Sequence, residues 1–177
     1  AWRLGGAGGL QQVEPGLERL YRQGRRRYRR AASAKGDRGR ALHEWRKRVK
    51  DLRYAAEMLD RQDPAVRGKR RRGRAGGKAA KLIPKLARDG DRLGEALGEE
   101  HDLAMLEQRI RESSRPGAGP ARLGRRSRRA VLKVISRRRR KLRARTLGQG
   151  ARLYKRKPKR FVGRVRRAYE RAAISRR

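Results

Sequence analysis

Residues 42–60 read LHEWRKRVKDLRYAAEMLD, and their apolar members follow the spacing of an α-helix. They recur every three or four residues, at Leu42, Trp45, Val49, Leu52, Ala56 and Leu59. Residues at this spacing lie on one face of a helix, so the pattern predicts a buried seam. Because Asp63 and Pro64 disfavour continuation, we expect a helix from about 39 to 61.

Similar patterns elsewhere predict a bundle of about five helices. Helices are expected near 14–33 and 78–98, and apolar residues resume at Leu103, which indicates a kink or a restart at 98–102. A fourth helix is expected from Pro120 to about 153, and a short final helix follows 158. No segment alternates with a period of two, so the predicted fold class is all-α, an antiparallel helical bundle of the four-helix-bundle type.

Two segments lack the helical pattern. Glycines dominate residues 1–11, which are predicted to be a flexible lead-in or linker. Residues 65–77 are rich in Arg, Lys and Gly and are predicted to form a basic mobile loop. The remainder, 12–174, is expected to be a single domain.

The charge of the chain points to an anionic partner. There are 56 Lys and Arg residues against 17 Asp and Glu, a net charge of +39. Nucleic acid, an acidic membrane surface and a phosphate polymer all fit this charge, and composition does not rank them, although nucleic acid is the most frequent partner of such chains.

Other classes are disfavoured by what the sequence lacks. Cysteine is absent, which excludes disulfides and Cys-based zinc sites and is compatible with a cytoplasmic location. No apolar run approaches the ~18 residues of a membrane span, so we expect no membrane insertion. Because neither a nucleophile elbow nor a phosphate-binding P-loop is present, we expect a binding protein without a cofactor rather than an enzyme.

Basic residues form a second pattern within 42–60. Residues three and four apart are neighbours on a helix, which puts the following in one strip beside the seam: His43, Arg46, Lys47, Lys50, Arg53 and Tyr54. The strip is ~16 Å long at about 1.5 Å per residue, a length that suits a chain of phosphates. Like charges this close on a helix repel each other, so a row of cations indicates an anionic ligand. A basic helix face that is simply exposed to solvent explains the pattern about as well.

A second group of cations lies in the predicted fourth helix. Arg138 falls between Ile135 and Leu142 and is therefore expected to line a groove rather than face bulk water. It shares a face with Lys141 and Arg145, and these three are the second candidates for phosphate contacts.

The segment GEEHD at 98–102 gathers three acids and a histidine. A second histidine at ligand spacing is missing, so we expect no metal site. Asp102 is instead expected to cap the restarted helix, while the other acids pair with neighbouring arginines.

Three separated segments, in this order, resemble the CHAD family, the conserved histidine α-helical domain. They are LHEWRKRVKDLRYAAEML at 42–59, LGEEHDLAML at 97–106 and LGQGARLYKRKP at 147–158. The resemblance implies a helical bundle that binds inorganic polyphosphate through basic residues lining a groove, in association with polyphosphate granules. The strip from His43 to Tyr54 matches the family's signature helix. His101 and Asp102 lie in the segment beside that helix and are expected to orient a cation such as Arg46 or Arg53.

The resemblance is to the second of two tandem repeats only. The groove would then be half complete, and binding would be weaker unless a homodimer restored the second wall. The alternative function is nonspecific nucleic-acid binding, with nucleic acid competing for the same cations. Since aromatic residues are only 5% of the chain, few are left to stack on bases, which disfavours sequence-specific recognition.

Overall fold

The computed structural model describes residues 6–62, 82–113 and 124–174. These residues form five α-helices and no strand: α1 Gly6–Ser33, α2 Arg38–Gln62, α3 Leu82–Glu112, α4 Arg125–Leu153 and α5 Pro158–Ile174. The predicted all-α class is therefore confirmed for the described part of the chain. The predicted loop at 65–77 and the predicted helix start at Pro120 lie outside the described residues.

The first four helices pack in sequence as an antiparallel bundle. α2 lies between α1 and α3, and α3 in turn packs on α4. The end of α4 returns to α1, where the Tyr154 ring lies against Gly24. α5 continues in the same direction along α1, because the Phe161 ring stacks on Tyr21 at a centroid distance of 3.9 Å.

The predicted seam of α2 forms the centre of the core. All six of its residues are buried, and the Trp45 side chain is fully enclosed. Trp45 packs against the ring of Tyr28 at 5.2 Å and reaches across the bundle to Gly150 of α4. A Cβ atom on Gly150 would lie 2.5 Å from Cζ2 of Trp45, so the glycine is required for this close approach.

Two predicted helix boundaries are wrong. α1 begins at Gly6, so residues 6–11 of the predicted lead-in are helical, and Leu10 is only 2% exposed; residues 1–5 lie outside the described part of the chain. α3 runs without interruption through 98–102, because its buried residues continue across the predicted break at Leu97, Gly98 and Glu100. Asp102 therefore caps no helix. None of the described helices is long and apolar enough to span a membrane.

The first half of α4 also differs from its predicted packing. Val131 and Val134 are apolar but are 37% and 67% exposed. The residues that are buried on this helix are Ile135, Leu142, Thr146 and Gly150. The inward face of α4 thus includes position 139 rather than position 138.

Candidate anion-binding site

The basic strip of α2 lies along α3, and three contacts fix how the two helices align. The rings of His43 and His101 are 4.8 Å apart. Arg46 lies beside Gly98, and the Cβ atom of Arg53 lies beside Gly90. Successive residues of α2 therefore meet α3 in reverse order, which brings the predicted strip and the 97–106 segment together.

Glycines four residues apart line the side of α3 that faces this strip. A Cβ atom on Gly98 would come within 3.2 Å of Arg46 Nη2, and one on Gly90 within 3.2 Å of Arg53 Cβ. Gly94 lies halfway between them, level with Lys50, and a Cβ atom on Gly94 would have no neighbouring atom within 4 Å. The row Gly90, Gly94 and Gly98 thus lets α2 pack closely on α3. Arg53 and Arg46 fill the space beside Gly90 and Gly98, and the space beside Gly94 stays open.

Arg46 lies beside Gly98, and no carboxylate of a described residue forms an ion pair with it. Its Nε atom is buried and makes no hydrogen bond. The side chain lines a shallow cavity of about 510 Å³ together with Glu95, Glu99 and Asp102. An unpaired guanidinium facing an open cavity has donors left for a ligand.

Two other cations of the strip are already paired. Arg53 bonds Glu57 at 2.6 Å and Asp91 at 2.5 Å, and its guanidinium also lies 5.6 Å from the Tyr54 ring centroid. Lys47 bonds Glu44 at 2.8 Å. These carboxylates neutralise much of the local charge, so the strip is less positive than its sequence suggests.

Lys50 and Tyr54 remain available on the same face. Among the described residues, no carboxylate forms an ion pair with Lys50. Tyr54 is 53% exposed, so it lies outside the core. Arg46 and Lys50 are consequently the two strip cations whose charge is not cancelled by a described neighbour.

The two histidines form the end of the strip. Burial, followed by the nearby charges of Lys47 and His101, lowers the pKa of His43 below its ordinary value, against the opposite effect of Glu44. The Nδ1 atom of His43 is buried without a hydrogen-bond partner. His101 is thus a neighbour of His43 and not the group that orients Arg46 or Arg53; Glu57 and Asp91 orient Arg53.

The acids of 98–102 pair with arginines of α4, as predicted. Glu99 bonds Arg138 at 2.6 Å. Glu100 is 2% exposed and accepts hydrogen bonds from Arg139 at 3.0 Å and from Arg143 at 2.8 Å. Arg139 also pairs with Glu107. This buried ionic network joins α3 to α4.

The second group of candidate cations lies outside the α2–α3 seam. Arg138 has a side chain that is 54% exposed, contrary to the prediction that it points into a groove, and Arg139 takes the inward position instead. Glu99 nevertheless links Arg138 to the cavity that Arg46 lines. Lys141 and Arg145 are exposed on the outer face of α4 and have no ion pair with a described residue.

A comparison with protein-family models identifies the family of the chain. The model of the CHAD domain matches residues 7–111, which is more than half of the chain and includes α1, α2 and nearly all of α3. The chain belongs to the CHAD family. Both helices of the candidate site, with the histidine pair and the glycine row, lie within the CHAD match. The resemblance noted at 147–158 lies beyond it and stays a prediction.

No curated protein and no solved structure gives a significant match to this CHAD chain. Among the residues that the structure describes, no group of three or more His, Asp or Glu side chains is arranged to hold a metal ion.

Proposed function

We propose that this CHAD domain binds inorganic polyphosphate along the seam between α2 and α3, without hydrolysing it. One observation supports the proposal most. Arg46 and Lys50, which have no ion pair with a described carboxylate, stand one helical turn apart where Gly94 leaves open space beside α3. A thin, extended polyanion is the ligand that such a site accommodates best.

The seam supplies donors of two kinds. The planar guanidinium of Arg46 binds two oxygens of one phosphate side by side, while the ammonium of Lys50 acts as a compact charge for the next. The missing side chain at Gly94 allows the chain of phosphates to approach the helix closely beside Lys50, while Gly98 makes room for Arg46. Arg53, fixed by Glu57 and Asp91, contributes less net charge than the other two.

The acids beside the seam favour polyphosphate over nucleic acid. Glu95, Glu99 and Asp102 lie around the cavity that Arg46 lines. A duplex is broad enough to bring further phosphates against these carboxylates, where like charges repel. A single chain of phosphates is narrower, so it can contact Arg46 and Lys50 with fewer of its charges beside these carboxylates. If binding occurs in the cell, it would also bring the protein to polyphosphate granules.

Competition between polyanions tests this proposal. Labelled long-chain polyphosphate is bound at near-physiological salt and then challenged with duplex DNA and with single-stranded RNA at equal phosphate concentration. We expect weak displacement by both nucleic acids and no release of orthophosphate. Easy displacement would favour the alternative function, a nonspecific nucleic-acid-binding protein. Salt must be held constant, because counterion release makes every such affinity fall steeply with salt.

A further inference from the structure

A second cavity lies away from the α2–α3 seam, where the start of α3 meets the end of α4 and the start of α5. Its volume is about 530 Å³, within the ~300–1,000 Å³ that is usual for small-molecule sites. The described residues that line it come from α3, α4, α5 and the turn between the last two, and none comes from α2. The cavity is therefore separate from the proposed polyphosphate site.

Basic side chains converge on this cavity with little to neutralise them. Asp89 is the one acid among its described lining residues, and it bonds Lys85 at 2.5 Å. Five further cations have no ion pair with a described residue: Arg92, Arg152, Lys155, Arg156 and Arg164. Five unpaired charges around one concavity repel each other, and an anion with several charges relieves that repulsion.

The turn that carries two of these cations is held rigidly against α1. The hydroxyl group of Tyr21 donates a hydrogen bond to the Leu153 carbonyl at 2.9 Å, and the Phe161 ring stacks on the Tyr21 ring. Arg25 Nε donates to the carbonyl oxygen of Tyr154 at 3.1 Å. The backbone that carries Lys155 and Arg156 is therefore positioned before any ligand arrives, which lowers the entropy cost of binding.

The rest of the cavity is apolar, unlike a site for phosphate alone. Leu82, Leu86, Leu93 and Leu153 line it together with Phe161. Gln149 also lines it, and the buried Oε1 atom of this side chain has no hydrogen-bond partner. A ligand that fills such a cavity has an apolar part with a hydrogen-bonding edge as well as its charges.

We propose that this cavity binds a small organic compound with two or more clustered phosphates, a class that a nucleoside triphosphate represents. The phosphates would lie among Arg92, Arg152, Lys155, Arg156 and Arg164, and the organic group would lie against the leucines. This inference does not depend on polyphosphate binding at the α2–α3 seam.

Radiolabelled ATP and matched charge variants test the site. Arg152 and Arg164 are exposed, so the double variant R152Q/R164Q leaves the core unchanged. We expect it to weaken ATP binding at least about tenfold, since each charge-assisted contact is worth on the order of tenfold in affinity. The control R126Q/R129Q removes the same charge from exposed positions of α4. It should bind ATP within about twofold of the unchanged chain, because neither residue lines the cavity.

Equal losses in both double variants, or no binding of ATP to the unchanged chain, would overturn the proposal. Inorganic tripolyphosphate tests the apolar part separately. We expect it to displace ATP less well than unlabelled ATP does, because it cannot contact the leucines. Displacement by tripolyphosphate that equals or exceeds displacement by ATP would contradict the assignment of an organic ligand.

Discussion

The guanidinium group of Arg46 rests on Gly98, with Nη2 3.2 Å from the place that a Cβ atom would occupy on that glycine. The contact joins the two patterns that define the site, the basic strip of α2 and the glycine row of α3. It also explains how the partly buried guanidinium, which has no ion pair with a described residue, is held in position, because Gly98 of α3 supports one side of it.

Replacing Gly98 with alanine tests this contact. The added methyl group is expected to displace the end of the Arg46 side chain and to weaken polyphosphate binding by about three- to tenfold, roughly one charge-assisted contact. The free energy of unfolding should change little, since the displaced atoms lie at the end of the flexible Arg46 side chain. Gly148→Ala on α4, where nothing lies within 4 Å, is the control for affinity. Unchanged affinity in Gly98→Ala would show that the position of Arg46 does not matter.

Binding of polyphosphate should strengthen as the pH falls. The pKa of His43 is lowered by burial and by the charges of Lys47, Arg46 and His101, with Glu44 opposing them, so the free side chain is neutral at pH 7. A bound polyanion raises that pKa, and binding therefore takes up a proton. We expect affinity for long chains to rise several-fold between pH 8 and pH 5.5 and this rise to be smaller in His43→Gln. The same pH profile in both proteins would rule out His43 as its source.

Without ligand, the same histidine should reduce stability in acid. The pKa of His43 is lower in the folded state than in the unfolded state. Its contribution to the free energy of unfolding is therefore full at a pH above the unfolded-state pKa, and it is lost as the pH falls through the unfolded-state and then the folded-state pKa. Denaturant unfolding at pH 8 and pH 5 should show a smaller loss for His43→Gln than for the unchanged chain. An equal or larger loss in the variant would contradict the lowered pKa.

Two glycines of α4 should respond in opposite ways to alanine. In Gly150→Ala the methyl group meets the rings of Trp45 and Tyr28, so we expect the free energy of unfolding to fall by about 1–3 kcal/mol. In Gly148→Ala it meets nothing, and removing a helix-interior glycine should raise that free energy by about 0.5–1 kcal/mol. Urea titrations of both variants measure the difference. If the two behaved alike, the packing of α4 against Trp45 would be wrong.

Glu100 and Glu99 are neighbours with different predicted effects on stability. Glu100→Gln leaves Arg143 and part of Arg139 without a charged partner at a buried position, so we expect a loss of about 3 kcal/mol, at the low end for buried pairs because Arg139 keeps Glu107. Glu99→Gln breaks only an exposed pair with Arg138 and should cost about 0.2–1 kcal/mol. Thermal unfolding of both variants tests the contrast. Similar losses would mean that the network does not join α3 to α4.

What the sequence could predict was determined by local spacing. The seam from Leu42 to Leu59 and the strip beside it lie on one helix, so spacing alone placed them correctly. The carboxylates that neutralise Arg53 come partly from α3, and their position depends on how two helices align, which no local pattern contains. The prediction that all the cations of the strip are available to bind an anion was therefore incomplete.

The errors have equally specific causes. Assigning Arg138 rather than Arg139 to the inward face of α4 is an error of one residue, which is about 100° around a helix. The predicted break at 98–102 followed from glycine and acids in mid-helix, but Gly98 makes room for Arg46 and Glu100 pairs with α4. The spacing of Gly90, Gly94 and Gly98 was the signal that could have revealed a close approach of another element.

Titration of the double variant R46Q/K50Q with long-chain polyphosphate tests the central claim most directly. It removes the two strip cations that have no described carboxylate partner, and R126Q/R129Q removes the same charge from exposed positions of α4. We expect R46Q/K50Q to lose roughly tenfold or more in affinity and its salt dependence to become shallower by about one unit of slope per lost contact. R126Q/R129Q should stay within about threefold of the unchanged chain. Equal losses in the two variants would contradict the account, since binding would then follow total charge and not the seam between α2 and α3.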